Sequence, residues 1–122
     1  GLPSGVGRLR VDIRREASPD VVADGTRLPF RDGAFRAVMI DPPYSVEYAR
    51  DLYGIDYPRP SHLLAEASRV VEPCGRIGLL HFLVMPPPPG CDFVGVRGVT
   101  TGLGYRIRAF TFYQRHQAEL DL

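Results

Sequence analysis

The apolar run Ala37-Val38-Met39-Ile40 leads directly into Asp41-Pro42-Pro43-Tyr44. Four residues suited to a buried strand meet two consecutive residues that have no amide hydrogen, so sheet pairing has to stop there. Proline also drives the residue before it out of the helical region, which keeps Asp41 and Pro42 extended. The product is a stiff corner with a carboxylate on one side and an aromatic ring on the other. In open α/β sheets, ligands bind outside the carboxyl ends of the strands. By itself the corner also fits an ordinary proline turn, so the flanking chain has to distinguish the two.

The chain has 122 residues, enough for one domain, whole or partial, with one modest core. Its formal net charge of +1 gives no overall basic field of the kind that announces a nucleic-acid binder. All 15 basic residues are arginine, which suits bidentate contacts to carboxylate or phosphate and equally reflects an arginine-biased proteome. Cys74 and Cys91 are too few for a disulfide framework, and no apolar run reaches the length of a membrane span, so a cytoplasmic location is expected. The three histidines and two cysteines show no metal-ligand spacing, and no metal is expected.

In chain order, Gly1 to Gly7 is a glycine-rich opening without helical or strand period. Arg8 to Ile13 alternates Leu9, Val11 and Ile13 with polar residues and reads as a strand that delivers Asp12. A polar connector with room for one helical turn follows, then the apolar run Val21-Val22-Ala23 before Asp24-Gly25. Arg31-Asp32-Gly33 is a turn signal, and Phe35 to Ile40 is the strand that enters the opening corner. Three short apolar runs each end in an aspartate, and near-continuous apolar strands point to a parallel sheet.

Beyond the corner, Ser45 to Leu52 has helical spacing, and 53–60 reads as a loop. Leu63, Leu64, Ala67, Val70 and Val71 predict a second helix with Ser61 as N-cap and with Glu66, Ser68 and Arg69 facing outward. Glu72-Pro73-Cys74-Gly75 is expected to stop it. Ile77 to Val84 is the most apolar strand and is placed centrally. Four prolines at 86–89 form a stiff connector, and Phe93 to Thr100 and Tyr105 to Gln114 form a hairpin about 101–104. Residues 116–122 read as a tail. Arg106, Arg108 and Arg115 are read as one strand face, either solvated or set against phosphate. His81, in an apolar strand, reads as a core or sheet-edge histidine.

This ordered set resembles the class I S-adenosylmethionine-dependent methyltransferases. Asp41-Pro42-Pro43-Tyr44 resembles the motif of amino methyltransferases that act on adenine N6 or cytosine N4, and Ala23 to Phe35 is similar to the segment that holds the cofactor adenine. The final hairpin matches the antiparallel pair that closes such sheets. Two departures stand out. Glu72-Pro73-Cys74-Gly75 differs from the usual Pro-Gly-Gly at its middle residue, and only seven residues precede the Arg8–Ile13 strand where the family has a strand, a Gly-x-Gly-x-Gly loop and a helix. The resemblance therefore implies an α/β fold: a three-layer, Rossmann-like, mostly parallel sheet with a C-terminal antiparallel hairpin and a truncated N-terminal strand and helix.

The implied cofactor is S-adenosylmethionine, with Gly5 and Gly7 as a reduced loop, Asp12 on the ribose hydroxyls, Asp24 on the adenine amine and the Gly25 backbone against the ring. The implied catalytic residues are Asp41, Pro42 and Tyr44. The Asp41 carboxylate and Pro42 carbonyl accept hydrogen bonds from an exocyclic amine, and Tyr44 stacks on a base that a duplex must first extrude. Pro43, Tyr48 and Tyr53 would line the substrate side. The implied partner is nucleic acid, DNA or RNA, with a homo-oligomer or a second chain completing the cofactor site. The alternatives are a non-catalytic binding or assembly domain, and a methyltransferase for a glutamine or a small-molecule amine.

Overall fold

In the computed structural model of the chain, residues 8–42 and 59–118 are described. Six strands and one α-helix are present among them: β1 (Val11–Asp12), β2 (Val21–Val22), β3 (Phe35–Ile40), α1 (Pro60–Val70), β4 (Val71–His81), β5 (Cys91–Val99) and β6 (Arg108–Arg115). A single 3-10 turn, Arg15–Ala17, occupies the polar connector between β1 and β2.

The strands fall into two sets. β1 and β2 pair in parallel through Val11–Val21 and Asp12–Val22 only. The main sheet has the order β3-β4-β6-β5. β3 and β4 run parallel, while β6 lies antiparallel to both β4 and β5. The fold is therefore α/β and closed by the expected antiparallel hairpin, but the main sheet is mixed and not mostly parallel as expected, because β6 inserts antiparallel between β4 and β5. Its last strand lies inside the sheet and β5 forms the edge. β4 is paired on both sides, as its apolar sequence demands.

Helix α1 forms because Leu63, Leu64, Ala67 and Val70 recur on one face, and all four are buried. That face lies on Ile77, Leu79, Cys91 and Tyr113 of the sheet, which together with Val71 make the core. A fully buried leucine such as Leu64 contributes about 2 kcal/mol. Because side chains alternate along a strand, the opposite face of the sheet carries Met39, Gly78, Phe110 and Phe112. The Phe110 and Phe112 rings stack there at 4.5 Å between centroids. A Cβ on Gly78 would lie 2.5 Å from the Phe110 ring, so glycine is what allows that ring to lie flat on β4. The described residues hold two of the three expected layers, the sheet and α1.

Several boundaries differ from expectation. Ser61 is not the N-cap of α1. Arg59 precedes the helix without a side-chain cap, and Pro60 occupies the first turn, where its missing amide hydrogen costs nothing. Glu72-Pro73-Cys74-Gly75 does not form a connecting loop. The chain passes from α1 straight into β4, and those residues form an irregularity in its pairing with β3, between Phe35–Val71 and Ala37–Arg76. Cys74 adopts φ 65°, and a Cβ on Gly75 would meet the Arg36 carbonyl oxygen at 2.8 Å. β4 ends at His81, so Phe82, Leu83 and Val84 lie beyond it and are exposed. The first strand is only two residues long because β2 offers it only two partners.

Candidate functional site

The carboxyl ends of parallel strands bring the candidate residues to two places. At the first, Asp12 ends β1 and Asp24 follows β2, and the Ala23 N–H donates to the Asp12 carbonyl at 3.0 Å. Both carboxylates therefore leave the same end of one parallel pair. Asp12 Oδ1 accepts the Arg14 N–H at 2.9 Å, and its Oδ2 lies 3.4 Å from the Arg14 guanidinium. The Arg14 Nε also donates to Oδ1 at 3.4 Å, and since a carboxylate has about four acceptor positions, the remaining capacity is chiefly on Oδ2.

Asp24 caps its own turn. Its Oδ1 accepts from the Thr26 N–H and the Thr26 hydroxyl, both at 2.8 Å, and its carbonyl accepts from the Arg27 N–H at 2.9 Å. Gly25 sits at the bend with Leu63 of α1 against it, where a Cβ would come within 2.9 Å of the leucine Cδ2. A side chain at this position would displace the end of Leu63, so the small residue suits the packing of the turn on the helix, independently of any ligand.

The second place is the end of β3. Asp41 is largely exposed, while Pro42 is buried. The Asp41 carboxylate lies 3.8 Å from the guanidinium of Arg108, the first residue of β6. That ion pair spans the end of β4, because the sheet order sets β4 between β3 and β6. His81 ends β4, is buried as expected, and takes the Leu83 N–H on Nδ1 at 3.1 Å. Burial holds its pKa below the usual imidazole value, so the ring is neutral at physiological pH.

Around this end lies an apolar rim. Leu83, Val84, Leu103, Tyr105 and Ile107 are exposed, and the Arg106 guanidinium sits 5.9 Å from the Phe82 ring centroid. The three arginines expected on one strand face are separated. Arg106 precedes β6, Arg108 meets Asp41, and Arg115, seven residues further along the strand, donates to the Val71 carbonyl.

Gly5, Gly7, Pro43, Tyr44, Tyr48 and Tyr53, together with the 45–52 helix reading, lie outside the described residues. Among the described residues there is no group of three metal-ligating side chains, and no helix is long and apolar enough to cross a membrane. Both cysteines are free thiols.

Glu66 and Arg69, expected to face solvent, hold the segment after Asp24-Gly25 against α1. The Glu66 carboxylate accepts the Leu28 N–H at 2.9 Å. The Arg69 guanidinium donates to the Leu28 carbonyl at 3.0 Å, the Phe30 carbonyl at 2.8 Å and the Asp32 carboxylate at 2.9 Å, and it pairs with Glu66 at 2.6 Å. The hydrogen bond from Arg69 holds the Glu66 carboxyl below its usual pKa. A Glu–Arg pair at i,i+3 is visible in the sequence, but its partners 37 to 41 residues away are not.

No protein-family model matches the chain. Over 101 residues, 82% of its length, the chain is 30% identical to 27-O-demethylrifamycin SV methyltransferase from Amycolatopsis mediterranei (strain S699). It spans 34% of that protein, about a third. The mixed α/β sheet, the aspartates at its strand ends and this similarity agree, and a methyltransferase stands among the relatives of the chain.

Proposed function

We propose that the chain forms the cofactor-adenosine and acceptor edges of an S-adenosylmethionine-dependent methyltransferase that acts on a small organic molecule. The observation that carries this reading is the placement of Asp12, Asp24 and Asp41 at the carboxyl ends of parallel strands. The donor set fits the cofactor. A ribose diol and an exocyclic amine both need acceptors, and Asp12 and Asp24 present carboxylates from the same end of one strand pair. Asp12 would hold the ribose hydroxyls, and Asp24, with the Gly25 backbone, the adenine ring. When bound, the cofactor supplies an electrophilic methyl group.

At the other edge, Asp41 would accept a hydrogen bond from the N–H or O–H of the acceptor, orient its lone pair and take its proton as the methyl group is transferred and S-adenosylhomocysteine leaves. The Pro42 carbonyl is a second acceptor for an amine, and the Tyr44 ring would stack on a planar substrate. The rate then comes chiefly from positioning and from fixed charges beside the reacting atom.

The rim supports a small acceptor over nucleic acid. Phosphate recognition needs available guanidinium groups. Here Arg106 lies over Phe82 and Arg108 beside Asp41, while the exposed side chains around them are leucine, isoleucine, valine and tyrosine. The name of the relative, which describes a rifamycin demethylated at an oxygen, favours a hydroxyl group as acceptor. A second reading, methylation of an adenine or cytosine amine in DNA or RNA, is favoured by the Asp41-Pro42-Pro43-Tyr44 sequence itself.

The test is transfer of a radiolabelled methyl group from S-adenosylmethionine to hydroxyl- and amine-bearing aromatic compounds, with adenine- and cytosine-containing oligonucleotides in parallel. Label on the small compounds, lost in Asp41→Ala, supports the first reading. Label confined to the oligonucleotides supports the second. Transfer that Asp41→Ala leaves untouched contradicts the proposed acceptor site.

A further inference from the structure

We infer that Glu66 and Arg69 are positioning residues for the cofactor: they set the affinity of the adenine-binding turn without touching the ligand. The inference rests on the assignment of Asp24-Gly25 made under Proposed function. The segment from Ala23 to Ala34 has no strand or helix of its own, yet it must present Asp24 at a fixed place. Its local fixings are the Asp24–Thr26 turn at one end and the Gly33 N–H on the Arg69 carbonyl, at 2.9 Å, at the other.

Between those ends the segment is held by two side chains one turn apart on α1. Glu66 takes the Leu28 N–H, and the Arg69 fork takes the Leu28 and Phe30 carbonyls. Both polar atoms of Leu28 are thus engaged by the helix, which fixes the orientation of its peptide units as well as its position. The planar guanidinium suits this role because one group presents several donors in a rigid fork, which lysine cannot do. Leu63, on the same helix, packs under Gly25. Phe30 packs edge-on to Phe35 at 5.0 Å, joining the far end of the segment to β3.

Helix α1 therefore holds the segment at two places, Leu63 at Gly25 and the Glu66–Arg69 pair at Leu28 and Phe30. Ordering that loop in advance removes an entropic cost that cofactor binding would otherwise meet. A purely structural pair would change stability alone, whereas a positioning pair changes the affinity for one ligand.

The test uses Arg69→Lys, Arg69→Ala and Glu66→Gln in the full protein that carries this chain. Affinity for S-adenosylmethionine is measured by calorimetry, and backbone amide exchange is followed at residues 24–33. Folding of each variant is checked by circular dichroism. The expected result is at least tenfold weaker binding in folded Arg69→Lys, faster exchange at Thr26, Arg27 and Leu28, and a smaller loss in Glu66→Gln, whose side-chain oxygen still accepts the Leu28 N–H. In turnover, KM for the cofactor rises and kcat at saturation stays within about twofold, the pattern of lost ground-state binding. Wild-type affinity in folded Arg69→Lys and Arg69→Ala overturns the inference alone. A wild-type protein that binds no S-adenosylmethionine at millimolar concentration overturns the methyltransferase reading, and the inference with it.

Discussion

Tyr113 joins the core to the proline-rich connector, and removing one atom from it measures that junction. The side chain is fully buried, pairs across the sheet with Ile77 and Phe93, and packs edge-on to the Phe93 ring at 6.5 Å. Its hydroxyl donates to the Met85 carbonyl at 2.6 Å. Burial raises the pKa of the phenol to about 12, so it remains a donor throughout the physiological range. Tyr113→Phe keeps the ring, its apolar burial and its edge-on contact, and deletes only the donor. The cost is the net value of one hydrogen bond plus part of the desolvation of a half-buried carbonyl, about 1.5 kcal/mol. Unfolding entropy near 2.1 cal/mol/K per residue, taken over this chain, converts that into a fall in Tm of about 6 °C. Thermal unfolding followed by circular dichroism reads the shift directly. An unchanged Tm refutes the reasoning, because it means the Met85 carbonyl is satisfied by water and the connector is not anchored through Tyr113.

Gly78→Ala pushes a methyl into the Phe110 ring at 2.5 Å and is expected to cost about 1–3 kcal/mol by overpacking, read as a lower denaturation midpoint with an unchanged m-value. His81, held below its usual 6.5 by burial, takes up protons more readily when unfolded, so its contribution is present above pH 6.5 and is lost as pH falls below that value. His81→Asn, which keeps an acceptor for the Leu83 N–H, should flatten this step in a plot of stability against pH. Glu66 is depressed by Arg69, so its contribution is present above about pH 4.5 and is lost as pH falls through its lower folded value. Glu66→Gln should remove that lower step and leave the His81 step in place. Arg108→Ala should lower methyl transfer through a fall in kcat, with cofactor affinity retained, because the residue borders Asp41 and not the Asp12–Asp24 pair.

Much of the architecture was legible where local pattern and tertiary demand agree. Phe35 to Ile40 was bounded by a glycine turn and a proline pair, and β3 has those limits. The spacing of Leu63, Leu64, Ala67 and Val70 gave the buried face of α1. Proline and glycine misled at 72–75, where they usually punctuate. Pro73 and Gly75 lie at an irregularity within β4, where the Arg36 carbonyl comes too close for a side chain at Gly75, a contact between strands that no local pattern encodes. Only two residues of the Arg8–Ile13 strand pair, since strand length depends on the partner as well as on alternation.

The strand-end acids were readable from the sequence because an acid after an apolar run has a fixed geometric meaning in a parallel sheet. Their hydrogen-bond partners were only partly so. The Asp12–Arg14 pair is local and could be read from spacing, whereas the Asp41–Arg108 pair depends on β6 inserting beside β4. Helical phase sets Arg69 opposite the core and Glu66 beside Val70, and the reading of both as solvent-facing fails because the segment they hold packs over that flank of the helix.

Binding of S-adenosylmethionine by the protein that carries this chain tests the central claim most directly, measured by titration calorimetry for wild type and for Asp12→Asn and Asp24→Asn. Saturable one-to-one binding is expected in wild type, weakened tenfold or more in either variant, each of which keeps its fold. Wild-type affinity in both variants, or no heat of binding at millimolar cofactor, contradicts the claim.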